Sequence, residues 1–231
     1  MTNYMIALDN AITKYHTGKM QGIQSLSTSC LCNEYCIARQ QNNNTICSKC
    51  YSKRELSRKK TLREKMEKNT KLLTEHDFKP EEIPFINSQI FRFEAFGELK
   101  NALQVKNYFA ICEKNKHCTF ALWTKNAWII ETALNDYKLQ KPGNLIIIAS
   151  VETVNNHFVL DETALNENLV YSFIDKVFAV YNRKYAEENN IPIKCGKKKC
   201  IDCMKCYSLD NDDFVITEAV KEETERGYIC L

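Results

Sequence analysis

Five short apolar runs separated by helix-forming stretches limit what this chain can become. Ile23 to Ser29, Ile90 to Phe96, Thr119 to Thr124, Leu145 to Ser150 and Val177 to Tyr181 each read as a strand, the fourth being the most continuous. Runs apolar on both faces bury both faces, as parallel strands under helices do. Helical patterns fill the gaps over Tyr51 to Leu73, Leu99 to Lys114, Ala127 to Leu139 and Lys184 to Asn190. From the second run onward the units return about every 25 to 30 residues, which suits right-handed βα crossovers. The expected fold class is α/β, a partial βα barrel or an open parallel sheet, carrying a cysteine-rich metal-binding C-terminal segment. A single domain over residues 1–231 accommodates it.

Twelve cysteines are the second constraint. Cys200, Cys203 and Cys206 recur at C-x2-C-x2-C, with Cys195 upstream at C-x4-C. A second group, Cys30, Cys32, Cys36, Cys47 and Cys50, follows the first strand-like run and is interrupted by the Asn- and Gln-rich loop 40–45. No run approaches the roughly 20 apolar residues needed to cross a bilayer, and the N-terminus lacks the pattern of a secretion signal. A cytoplasmic location without membrane attachment is expected, where thiols stay reduced and serve metals sooner than disulfides. Three thiolates in one tight run suit an iron–sulfur cluster. Zinc, whose structural sites usually take cysteines in two separated pairs, is the alternative. The candidate metal ligands are Cys32, Cys36, Cys47, Cys50, Cys195, Cys200, Cys203 and Cys206, in one centre or two.

In a parallel βα array the functional face lies at the carboxyl ends of the strands. Those ends deliver Thr28 and Ser29 with the first cysteines, then Glu94, Gly97 and Glu98, then Lys125, then Ser150 and Glu152, then Asn182 with Cys195 beyond. Both cysteine groups are expected at that face. Six glycines give neither G-x-G-x-x-G nor G-x4-G-K-[ST], so dinucleotide-binding and P-loop chemistry find no support. Net charge is +3, but Lys53, Arg54, Arg58, Lys59, Lys60, Arg63 and Lys65 crowd one segment, and the tail from Asp210 is acidic. A solvated helix face is the plain reading of the basic segment, and a phosphate-contacting surface the sharper one. His16, His76, His117 and His157 share no ligand spacing, Cys112 and Cys118 read as buried thiols, and Cys230 stands near the C-terminus.

Cys32-x3-Cys36-x10-Cys47-x2-Cys50-Tyr51, following the first strand, resembles the cluster loop of radical-SAM enzymes. Phe96-Gly97-Glu98 resembles their Gly-Gly-Glu element. The resemblance implies a 4Fe–4S cluster on Cys36, Cys47 and Cys50, and S-adenosylmethionine (SAM) bound with the help of Gly97 and Glu98. A broader likeness rests on Ser25-Leu-Ser-Thr28, Ile46-Cys-Ser-Lys-Cys-Tyr-Ser52, Phe91-Arg-Phe-Glu-Ala-Phe-Gly-Glu-Leu99, Phe120-Ala-Leu-Trp-Thr-Lys125 and the C-terminal cysteine run. Over about Lys19 to Tyr207 these residues are similar to the phage gene product 88-like family. That implies a phage origin, hence a bacterial host cell, and a metal-binding role. Two functions follow as expectations: a SAM-dependent iron–sulfur enzyme with an auxiliary cluster, or a non-catalytic metal-stapled protein engaging a host protein or nucleic acid, such as an anti-defence factor.

Overall fold

The computed structural model describes residues 2–157, 172–210 and 213–220. Six strands, β1 (Gln24–Leu26), β2 (Ile90–Phe93), β3 (Thr119–Thr124), β4 (Leu145–Ser150), β5 (Lys176–Asn182) and β6 (Val215–Val220), pair in parallel and in sequence order. No described pairing joins β6 back to β1, and the sheet is open.

Register separates the two faces. Leu26, Phe93, Leu122 and Ile147 stand in one row, and Ala149, Val177 and Val215 continue that face. Against it pack α1 (Asn3–Ala11), α4 (Lys60–Glu75), α5 (Ala102–Lys114) and α6 (Trp128–Asp136), through Leu8, Leu73, Tyr108 and Ile130. The Phe93 ring stacks on Tyr108 at 4.1 Å and on Phe120 at 5.2 Å. Sequential strand order with crossovers of one hand puts the helices on one side, so the winding is single rather than double.

The opposite face presents Ser25, Arg92, Ala121 and Ile146 in one row, and Phe178 beside Ile216 in another. It is covered by the C-terminal cysteine segment, with Cys200, Met204, Cys206 and Tyr207 against Ile23, Ile90 and Ile148. The C-terminal cysteine group therefore lies across the sheet, against Ile23 before β1, Ile90 at the start of β2 and Ile148 within β4, and not at the carboxyl ends where it was expected. The physical reason is an apolar face that no described crossover helix covers.

Three further departures have local causes. The stretch expected as one helix from Tyr51 is two, α3 (Tyr51–Arg58) and α4, broken at Lys59 (φ −111°, ψ 90°). The break lets Leu56 and Met66 pack into the same cluster as Cys30. β2 ends at Phe93 because Glu94 turns to φ 54°. The acidic tail contains β6, whose six residues are all buried. The basic segment is threaded with helical ion pairs, Lys59–Glu55, Lys60–Glu64 and Arg63–Glu67, as a solvated face would be. Cys230 lies outside the described residues. No described helix is long and apolar enough to cross a membrane.

Candidate metal centres

The loop after β1 is fastened to the loop after β2. Ala95 N donates to Ser27 Oγ at 2.9 Å, and Thr28 N donates to Glu94 Oε2 at 3.2 Å. The Asn33 amide donates to the carbonyls of Glu98 and Leu99, while its Oδ1 caps α2 (Glu34–Gln41) by accepting from Tyr35 N. Gly97 has room for no other residue: a Cβ would collide with Thr28 Oγ1 and stand 2.6 Å from Glu94 Oε2 and Thr28 O. Glu98 is buried, and its carboxylate accepts from Thr124 Oγ1 (2.5 Å), Leu99 N (2.8 Å) and Lys125 N (2.8 Å).

On this frame Cys36 sits in α2, Cys47 in a single 3-10 turn (Ile46–Lys49), and Cys50 at the cap of α3. Glu152, just past β4, clamps the segment. Its Oε1 accepts from Tyr35 OH at 2.5 Å and pairs with Arg39 Nε at 2.9 Å, and its carbonyl accepts from Ile46 N at 2.8 Å. Cys36, Cys47 and Cys50 converge there, and Cys30 joins them. The thiol of Cys30 donates to Cys50, which is lowered to about 6 by that bond and by the Ser52 and Lys53 amides, while Cys30 is held protonated. Burial, then the Glu98 carboxylate, pushes Cys36 up; burial also raises Cys47. Cys32 is fastened by its carbonyl, which accepts from Lys100 Nζ at 2.9 Å. A cavity of about 110 Å³ adjoins, lined by Cys47, Cys50, Tyr51, Lys125, Val180 and Val220.

The C-terminal group is built against β6. Lys194 N and Cys195 N both donate to Thr217 O, so Cys195 runs beside Glu218 as a further parallel bridge. Lys19 Nζ lies 2.8 Å from Glu218 Oε1 and 3.5 Å from Cys195 Sγ. The three-cysteine run winds as one helical turn, α8 (Cys200–Cys203), with α7 (Arg183–Glu188) earlier in the chain; Met204 at φ 55° then ends α8. The winding turns all four cysteines toward a void of about 30 Å³. Burial raises Cys206 to about 12 and Cys195 to about 11, the latter with help from Glu218, and raises Cys200 against the pull of Arg92.

The two groups are thus separate, each thiol taking its charged neighbours from its own surroundings. All eleven described cysteines are free. As placed, no three His, Cys, Asp or Glu side chains among the described residues are close enough to hold one ion. The donor chemistry nevertheless fits a cation. Buried thiols beside the buried Glu94 and Glu98 cannot ionise together without positive charge among them. The histidines are otherwise engaged: His16 with Ser25 Oγ, His76 with Glu82, His117 with the Ile86 carbonyl and His157 with Tyr185.

Sequence reasoning named Cys30 in the N-terminal group without counting it among the ligands, and passed over Arg92, Lys19, Glu218 and Tyr207. Arg92 alone left a signal, a charge inside an apolar strand.

A singly wound parallel sheet with two half-buried cysteine groups defines a cysteine-rich α/β protein. The family model described as Gene product 88 matches residues 7–209, and the chain belongs to that family. The match ends before β6 and extends no support to the radical-SAM resemblance. No curated protein and no solved structure matches the chain.

Proposed function

We propose that this chain is a cysteine-ligated metalloprotein with two centres. Cys36, Cys47 and Cys50 would hold a 4Fe–4S cluster at the carboxyl ends of the strands, with Cys30 in reserve. Cys195, Cys200, Cys203 and Cys206 would hold the second, auxiliary centre. The observation that carries this is the half-buried grouping of Cys36, Cys47 and Cys50, with Cys36 and Cys50 packed on the Cys30 cluster and Cys47 and Cys50 lining a cavity of about 110 Å³. A 4Fe–4S cluster would supply one-electron chemistry there. Three thiolates leave one of its positions without a protein ligand, and the cavity of about 110 Å³ would take a small chelating group, such as the amino and carboxylate end of SAM, with the rest of that molecule outside it. Lys125 stands at its wall as a cation. Gly97 permits the close approach of Thr28 to Glu94, and Glu98 holds the Lys125 amide. These two residues therefore act on the cavity by positioning its wall. The single, sequential winding supports a partial βα-barrel scaffold.

The C-terminal site favours a second reading. Its void of about 30 Å³ has room for about one atom, and four thiolates around one ion describe structural zinc. In that reading the metal is a staple and the protein a binding module for a host protein or nucleic acid.

Anaerobic purification with iron, acid-labile sulfide and zinc analysis tests both. Iron with sulfide, lost in Cys50→Ala, together with SAM binding by calorimetry and a changed reduced-cluster EPR spectrum, is expected of the enzyme. Stoichiometric zinc without sulfide, or a spectrum indifferent to saturating SAM, would remove the enzyme reading.

A further inference from the structure

Two buried polar atoms on the sheet face are left over when the protein's own hydrogen bonds are assigned. Arg92 Nε and Tyr207 Oη have no partner among the described residues, and Tyr207 is only 4% exposed. Buried donors are paired in nearly all native proteins, because an unmade bond there costs the whole desolvation of the group. Both donors belong to one place. Tyr207 lines the void shared by Cys195, Cys200, Cys203 and Cys206. The charge of Arg92 is felt at Cys200, Cys206 and Tyr207.

Both side chains are packed on Trp123. The Arg92 guanidinium lies 4.1 Å over the Trp123 ring, with Nη1 3.6 Å from Met20 Sδ. The Tyr207 ring meets Trp123 edge-on at 5.8 Å. Among the acceptors that feel Arg92, the Glu218 carboxylate is engaged by Lys19, and the others are the sulfurs of Cys200 and Cys206. Four thiolates on one metal centre carry net negative charge, and a buried centre of that kind is stabilised by N–H and O–H donors aimed at its sulfurs.

We infer that Arg92 and Tyr207 are the hydrogen-bond donors to the sulfurs of the C-terminal centre, and that they set how readily it gains an electron or releases its metal. The inference rests on the metal reading above. Both are positioning residues, since they act on the metal through its ligands. A donated hydrogen bond favours the more negative, reduced state of a cluster; at a zinc tetrathiolate it offsets the net negative charge and makes the sulfurs harder to protonate, which slows release of the metal.

The experiment compares wild-type protein with Tyr207→Phe and Arg92→Lys, all purified anaerobically. The first keeps the ring on Trp123 and deletes only the hydroxyl; the second keeps the charge and deletes Nε. Metal analysis against Cys203→Ala first establishes what the C-terminal group holds. If iron, redox titration of the centre that Cys203→Ala abolishes is expected to show about tenfold less reduced form in Tyr207→Phe at a fixed potential. For a one-electron couple that is a shift of ~59 mV to more negative values. If zinc, its transfer to a chelator at fixed pH is expected to run about tenfold faster, with the melting temperature unchanged. Arg92→Lys is expected to move in the same direction. Metal present with an unmoved potential or release rate overturns the inference and leaves the metal reading standing. No metal beyond that of Cys203→Ala overturns both.

Discussion

Glu94 closes β2 with a left-handed backbone, φ 54°, and turns a carboxylate into the core. Thr28, Gln104 and Tyr108 donate to it, yet burial outweighs them and raises it from 4.5 to about 7. The native state therefore keeps a proton that the unfolded chain releases, so stability falls as pH rises between about 4.5 and 7 and is level above. The full span is worth about 3 kcal/mol at 1.36 kcal/mol per pKa unit. Glu94→Gln, of the same shape and never charged, is expected to lose that slope. Urea midpoints of both proteins at pH 5 and pH 7.5 check it, the difference between them isolating Glu94 from Glu98 and the thiols. Parallel profiles would mean that Glu94 is ionised throughout.

Among the elements, the cysteine loop is held by its neighbours more than by itself. α2 has no fully buried residue, and the 3-10 turn carrying Cys47 has none either. Glu152 ties both to the end of β4 through Tyr35, Arg39 and Ile46. Glu152→Ala removes two side-chain partners, and a loss of about 1 to 2 kcal/mol is expected, confined to this loop. Proteolysis should then cut near Asn42 to Thr45 sooner while global unfolding barely moves; unchanged cleavage would show that the clamp does not hold the loop. Such tertiary ties are what the sequence does not spell out. β3 and β4 were legible to the residue because their apolar runs need no partner to be recognised. β6 was not, because its Thr217 and Glu218 read as part of an acidic tail. They are buried only because Pro192, Lys194 and Lys19 receive them. That Cys36, Cys47 and Cys50 belong to one cysteine-rich segment was legible in the sequence, whereas the place of Cys30 depends on α3 and α4 bending around it.

On the scale of the molecule, the sheet is covered on one face by helices and on the other by the Cys195–Tyr207 segment, so a metal there would fasten a layer of the fold. Cys203→Ala is expected to lower the melting temperature severalfold more than Cys112→Ala, whose thiol only packs in α5. The latter should cost about 1 kcal/mol, or a few degrees for a chain of this size. Equal shifts in thermal unfolding would show that no ligand energy reaches the fold. The pairing of Lys19 with Glu218 spans 199 positions, and it has a consequence for synthesis. Strands added in chain order let the sheet grow at one edge as the polypeptide emerges, and the N-terminal cysteines are in place once Glu152 has arrived. The C-terminal site waits for the last strand, since Cys195 rests on Thr217 and Lys19 on Glu218. A ribosome that stops before β6 releases a chain whose first thiol group already has its neighbours and whose second lacks Thr217 and Glu218 to rest on, so the two groups take their places at different moments of synthesis.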